Sequence, residues 1–286
     1  MLKKKKYPRL DRLTKIGELF TRHNWKKDGK RYTNFCLLAG QMNDTEFALL
    51  YELTDRFHLL DMNNFIMEFL LGFYSSNDDL YRSSDHIYIT PMKKVNDKGK
   101  HVKNSKSGDI VYSVMRAKRR LCEYEEKFVF CKDASEILVT FSDGDLICFI
   151  DDFVGSGKTY HDAFVSFKKY FSSLGKQLEG KDVFAITAWA MEIGYQFCQG
   201  KQLRLYCNKR FFKEISEFPN YNDIEKKEKI QLMEQMEKVY GHNISAKYSL
   251  GFGKSEALVS ILEKSPNNTF PIFWKAKNGQ NIFPRF

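Results

Sequence analysis

Between residues 32 and 90 the apolar positions recur every three to four residues: Phe35, Leu37, Leu38 and Met42, then Phe47, Leu49, Leu50, Leu53, Phe57, Leu59 and Leu60, then the run 65–74. A period near 3.6 marks helices that bury one face, so the spacing predicts an α-helical N-terminal region of three or four helices. The pattern changes at His86. Residues 86–92 (HIYITPM) read as a strand, 93–108 as a polar loop containing glycine, and 109–121 as a helix through Ile110, Val114, Met115 and Leu121. Short strands are expected at 127–131, 136–141, 145–150, 183–189 and 203–207, with helices at 157–174 and 190–199 between them. Strands alternating with helices, several of them apolar throughout, predict an α/β fold with a mainly parallel sheet flanked by helices on both faces.

Residues 222–240 are charged, with Glu225/Lys229 and Glu234/Lys238 at i,i+4 and a narrow stripe of Leu232, Met236 and Val239. That predicts a solvated helix packing one edge on the domain. The tail 246–286 returns to strand-like segments with glycines and three of the six prolines. The expected division is therefore a basic tail and α-helical region over 1–85 and an α/β domain over 86–286, with the charged helix near 214–242 as an insertion.

Composition narrows the class. The 286 residues are 43% hydrophobic and 15% aromatic, enough to bury a core and to exclude disorder of the whole chain. The longest apolar runs, 65–74 and 183–191, fall short of the ~20 residues a membrane span needs, so no membrane segment is expected. The lysine-rich start lacks the apolar stretch of a secretory signal. The six scattered cysteines show neither C-x-x-C nor zinc-ligand spacing, so they read as reduced thiols of a cytoplasmic protein with no metal site.

Charge adds a question of partners. The formal net charge of +10 is two patches: residues 1–31 carry 12 Lys and Arg against three acids, net +9, and residues 93–120 carry ten against two, net +8, so the remainder is acidic. The first patch reads either as a solvated tail or as a dock for RNA, DNA or an acidic partner, with Trp25 and Tyr32 able to stack.

One segment carries chemistry: Leu146-Ile-Cys-Phe-Ile-Asp151-Asp152-Phe-Val-Gly155-Ser156-Gly157-Lys158-Thr159. A buried strand feeding a helix through glycines presents backbone N–H groups at the positive end of a helix dipole, a cradle for phosphate. A Walker A loop would need glycine at position 152, where this chain has an aspartate whose charge would oppose the β- and γ-phosphates. The other reading uses the acids: Asp151 and Asp152 at the carboxyl end of a parallel strand accept hydrogen bonds from ribose hydroxyls, while 155–159 hold the 5-phosphate.

The run IDDFVGSGKT resembles the phosphoribosyl pyrophosphate (PRPP) motif of type I phosphoribosyltransferases, in which hydrophobic residues precede D-D-x-x-[TG]-[TS]-G-x-T. The acids fall on Asp151 and Asp152, the small hydroxyl residue on Ser156, the turn glycine on Gly157 and the closing hydroxyl on Thr159. More narrowly, residues 86–286 resemble the PRTase-CE family, phosphoribosyltransferase-like effectors of bacterial conflict systems, some encoded beside retron reverse transcriptases. That match rests on the motif with its Gly-Ser-Gly-Lys-Thr ending, Ser107-Gly108 before a helix, Gly194 after the following strand, Gly251-Phe-Gly, the stretch 265–274, and Phe283-Pro-Arg285. The resemblance implies a type I phosphoribosyltransferase-like fold, a toxin or effector role in anti-phage defence, and Mg²⁺ carried by the substrate. It also implies a second loop on pyrophosphate, which Lys106, Ser107 and Gly108 fit, although Ser107 reads equally as a helix N-cap.

Asn267, Asn268 and Trp274 are candidates for an acceptor pocket, and turn chemistry or core packing explains them as well. The expected activity is pentosyl transfer or nucleotide hydrolysis from PRPP or a related nucleotide. The alternatives are a non-catalytic PRPP or nucleotide sensor acting through a partner and, last, a P-loop NTPase. The expected macromolecular partner is a retron reverse transcriptase with its RNA–DNA, or another regulatory protein, met by the basic N-terminal region.

Overall fold

Three helices open the chain: α1 (Leu10–Arg22), α2 (Lys30–Ala39) and α3 (Asp44–Asp55). They are followed by a short strand, β1 (His58–Leu60). The computed structural model describes residues 8–75, 78–102 and 107–285. The helix α1 was not expected within the basic tail, yet it buries Ile16, Leu19 and Phe20. Arg12, 6% exposed, donates to the carbonyls of Ala39 (2.7 Å) and Met42 (2.8 Å) and to Asp44 (2.6 Å). A cation at the carbonyl end of α2 meets the negative end of that helix dipole. At the start of α3, Asn43 and Glu46 form a capping box.

Residues from Met62 onward build a different unit: α4 (Met62–Tyr74), α5 (Asp78–Arg82), β2 (Ile87–Pro91), α6 (Ser107–Lys118), β3 (Phe128–Phe130), α7 (Ala134–Thr140), β4 (Leu146–Val154), α8 (Lys158–Ser173), β5 (Val183–Met191), α9 (Glu192–Gly200) and β6 (Arg204–Phe211). Its five strands pair in the order β3-β2-β4-β5-β6, each pairing parallel. The α/β architecture with a parallel sheet between helices is the one the pattern predicts. Alternate residues serve the two faces: Phe149 meets Phe167 of α8 (4.8 Å between ring centroids), while Phe184 meets Tyr81 of α5. α4 packs against β5 and β6, where Gly72 lies so close that a Cβ would sit 2.8 Å from the Thr187 carbonyl oxygen.

The chain then returns to the first unit with α10 (Asp223–Tyr240), β7 (Val259–Ile261) and α11 (Pro271–Trp274). The two compact units are thus the described residues up to Asp61 together with those from Phe212, and Met62–Phe211. This division differs from the single boundary expected at residue 85. β1 pairs in parallel with β7, and Phe57 stacks on Phe283 at 3.7 Å between centroids, so the ends of the chain share one core.

Other expectations change for local reasons. Residues 136–141 are not a strand: Asp133 caps α7 by accepting from the amides of Ser135 and Glu136. β1 interrupts the helical run 32–90. The charged helix packs one edge and leaves the rest to solvent, as expected, but the edge is Met233, Met236 and Glu237 with Val239 exposed, and α10 belongs to the first unit rather than being an insertion in the α/β domain. The tail is mostly irregular, with β7 its one named strand among the described residues. No helix among the described residues is long and apolar enough to cross a membrane.

Candidate functional site

The chain passes from β2 through α6 to β3 on one side, and β4, β5 and β6 extend on the other, so the direction of winding reverses between β2 and β4. Open parallel sheets bind ligands beyond the strand ends at such a switch point. β2 ends at Pro91, which pairs with Ile150. The next residue of β4 is Asp151. The acids do not end their own strand as expected: β4 runs on through Val154, with Asp151 opposite Thr187 and Phe153 opposite Trp189. They stand instead where the neighbouring strand stops.

Into that gap comes the start of α6. Ser107 Oγ donates to Asp151 Oδ1 at 3.0 Å, and the Asp152 amide donates to the same oxygen at 2.9 Å. Asp151 is 6% exposed, and burial, then the adjacent Asp152 charge, holds its carboxyl well above the usual carboxylate range. Asp152 is half-buried. A Cβ on Gly108 would make ordinary contacts of 3.5–3.7 Å with Pro91, the Ile150 carbonyl and Asp151, so space does not demand glycine there. The third member of the expected pyrophosphate loop, Lys106, lies outside the described residues.

The other wall is the turn 155–157. Gly157 has φ +74°, a left-handed conformation that favours glycine, and α8 starts at Lys158 with no side-chain cap at Gly157. The Lys158 amide donates to Ser156 Oγ at 3.4 Å, and the amides that follow it at this helix start are of the kind that bind anions. α9 shapes this turn from behind: a Cβ on Gly194 would lie 2.3 Å from the Gly155 carbonyl oxygen and 3.1 Å from the Gly157 nitrogen. Ser156 is half-buried and Thr159 exposed. The Lys158 ammonium lies 3.6 Å from Asp162, one turn along its own helix, and Asp162 also pairs with Lys94 at 2.8 Å.

The +8 patch is less bare than its sum suggests. Lys93 pairs with Asp109, Lys94 with Asp162, Lys100 with Asp133 and Arg119 with Glu125. Three of those four acids come from outside 93–120, so acids elsewhere in the chain offset part of the patch. In the N-terminal patch, Trp25 packs edge-on against Phe20 and Phe283, and Tyr32 edge-on against Phe20. Both are partly buried and pack against the first unit's core.

The acceptor candidates fall in that first unit as well. Asn268 donates to the Phe252 carbonyl and to Ser255 Oγ, the Asn267 carbonyl accepts from the Phe252 amide, and Trp274 Nε1 donates to the Thr269 carbonyl at 2.8 Å. Asn268 and Trp274 thus use their side-chain donors on local backbone and hydroxyl groups, as turn and packing residues do. The structure gathers Asp151, Asp152, 155–159, Ser107 and Gly108 in one place within the second unit. Sequence reasoning missed the hydrogen bond between Ser107 and Asp151, which joins residues 44 apart and leaves no local pattern.

Among the described residues no group of three or more His, Cys, Asp or Glu is placed to hold a metal ion. The donor set suits a magnesium ion that arrives on a polyphosphate and takes at most one or two protein carboxylates.

The family model described as PRTase-CE matches residues 62–285. No curated protein matches the chain. Among solved structures, orotate phosphoribosyltransferase from Aeropyrum pernix is similar over 53% of this chain and 77% of its own, with 15% identity and a TM-score of 0.27.

Proposed function

The chain belongs to the PRTase-CE family, and from that premise we propose that it is a phosphoribosyltransferase-like effector that binds PRPP or a related ribose-phosphate nucleotide with substrate-borne Mg²⁺. The observation that carries this reading is the placement of the Asp151-Asp152 pair at the strand-order switch, three residues before the glycine turn that opens α8. A ribose with vicinal hydroxyls beside a phosphate matches that spacing, and few other common ligands present both groups so close together.

In this reading the amides of 155–159 hold the 5-phosphate, the acids take the ribose hydroxyls, and the start of α6 with Lys106 meets the pyrophosphate. Transfer breaks the bond from C1 to pyrophosphate oxygen and forms one from C1 to an acceptor. Positive charge grows on the ring between the two events, and a nearby carboxylate stabilises that state more than the ground state. As an effector, the protein would deplete or modify a nucleotide, or modify a macromolecule, during anti-phage defence of the retron type. Its partner, a reverse transcriptase with RNA–DNA or another regulatory protein, would dock on the basic N-terminal region.

Calorimetry with Mg²⁺-PRPP and with ATP, followed by an assay for pyrophosphate release, tests the reading. Preference for PRPP with release supports it. Tight binding without release under any activating condition makes the protein a sensor, and preference for ATP overturns both.

A further inference from the structure

Two consecutive lysines of the second basic patch reach in opposite directions. Lys93 pairs with Asp109, in the first turn of α6, and Lys94 pairs at 2.8 Å with Asp162, one turn into α8. Asp162 also meets Lys158, the first residue of α8, so the connection reaches the glycine turn itself. In each lysine's pair one side chain is largely covered: that of Lys93 is 10% exposed and that of Asp162 19%. Such a pair keeps more of its attraction than one wholly in water.

The lysines stand at the base of a hairpin, where the Val102 amide donates to the Lys94 carbonyl at 2.9 Å and Val95 bridges His101. The hairpin lies along α8. The Val95 amide donates to Ser166 Oγ at 3.0 Å, and at the tip Gly99, with φ +70°, comes so close to the Tyr170 ring that a Cβ would collide with it.

We propose that Lys93 and Lys94 are positioning residues, a brace that fixes the distance between the starts of α6 and α8 and so selects a ligand with an anionic group at each end. The inference rests on the ribose-phosphate reading and adds the span that the site measures, from a pyrophosphate on C1 to a phosphate on C5. It also accounts for Asp109 and Asp162. Acids beside an anion cradle oppose the ligand by charge alone, and here each holds one wall in place.

Lysines near such a cradle could instead act by attraction, and the two roles differ in sign. Attraction predicts that Lys93→Met weakens Mg²⁺-PRPP binding and that Asp109→Asn tightens it. The brace predicts that both weaken it, about three- to tenfold, and that the double variant is no worse than either single one. Ribose 5-phosphate has one anionic end and should bind all three variants within about twofold of the parent. Tighter or unchanged Mg²⁺-PRPP binding by Asp109→Asn overturns the brace, as does an equal loss of both ligands.

Should the parent chain bind no Mg²⁺-PRPP, the ribose-phosphate reading fails, and hydrogen exchange then tests the brace without ligand. Lys94→Met should raise exchange at 94–102 and, beyond the pair it breaks, at 107–113, while β4 and β5 keep their protection. Exchange at 107–113 equal to that of the parent would sink the proposal.

Discussion

The two units of this protein are stabilised in different ways. The second, Met62–Phe211, is one continuous stretch whose parallel ladders satisfy backbone groups strand by strand. The first is assembled from both ends of the chain, and between Gly241 and Arg285 it has little regular structure. Eight of the ten described non-glycine residues with positive φ lie in it, among them Leu250, Lys254, Glu256 and Leu262. Each such residue costs of order 1 kcal/mol that surrounding contacts must offset. Buried side chains do so: Glu256 accepts from the amides of Ile215 and Ser216, and Ser265 and Thr269 donate to carbonyls. The lesson is that a sheet can be built from local rules, whereas an irregular unit depends on a few long-range side chains.

The sharpest way to break that contrast is at Phe57. Buried at the end of the N-terminal segment, it stacks on Phe283 and meets Phe273 edge-on. Phe57→Ala should cost about 4 kcal/mol. Hydrogen exchange should rise in 44–61 and 257–285 while the peptides of β4 and β5 keep their protection. Loss spread evenly over both units would show that they do not behave as separate bodies.

The same contrast explains what the sequence disclosed. In the second unit, strands buried on both faces read directly as apolar runs, so the fold class was legible, and the Asp151–Thr159 motif, lying within one strand, turn and helix, could be picked out as one candidate segment. The one misread element, α7, has Ile137, Leu138 and Val139 in a strand-like run, and what decides it is Asp133, which caps the helix by accepting from the Ser135 and Glu136 amides. In the first unit the decisive facts are contacts between residues more than two hundred positions apart, such as Phe57 with Phe283, and no periodicity records them. Charge misled at the start of the chain: Ile16, Leu19 and Phe20 have helical spacing, but the lysines around them suggested a tail. Asp151's burial was hidden too.

A smaller effect should appear at Gly194, which tests whether the site turn depends on the packing behind it. Gly194→Ala places a Cβ where two backbone atoms already stand, so neither can swing away. It should cost about 2–3 kcal/mol, and should raise exchange at 155–160 and abolish Mg²⁺-PRPP binding in calorimetry. Gly200 at the other end of α9 has nothing within 4 Å of its Cβ position, so Gly200→Ala should be neutral or slightly stabilising and serves as the control. Equal behaviour of the two variants would mean that the turn adjusts and that α9 is not its mould.

The mildest prediction sets the units against each other with pH. In the first, Glu237 is 2% exposed, and burial pushes its carboxyl up to about 7 from 4.5, even with hydrogen bonds from Ser249 and the Leu250 amide. The folded state then holds a proton more tightly than the unfolded chain, so stability falls as pH rises between about 4.5 and 7 and the full cost stands above pH 7. In the second unit, burial and then the charge of Lys93 push His101 down to about 4 from 6.5. There the unfolded chain takes the proton first, so stability falls as pH drops between about 6.5 and 4. Acidification from pH 7.5 to 5.5 should therefore relieve the first unit, whereas in the second the cost at His101 is opposed by the buried Asp151 carboxyl, which gains from the same change. Glu237→Gln should raise the melting temperature of the first unit at pH 8, by about 1–2 kcal/mol in stability once the lost acceptor is counted, and change it little at pH 5. A gain at pH 5 as large as that at pH 8 would mean that the carboxyl charge is not what limits this unit, and that its irregular segment is limited instead by the strained residues around it.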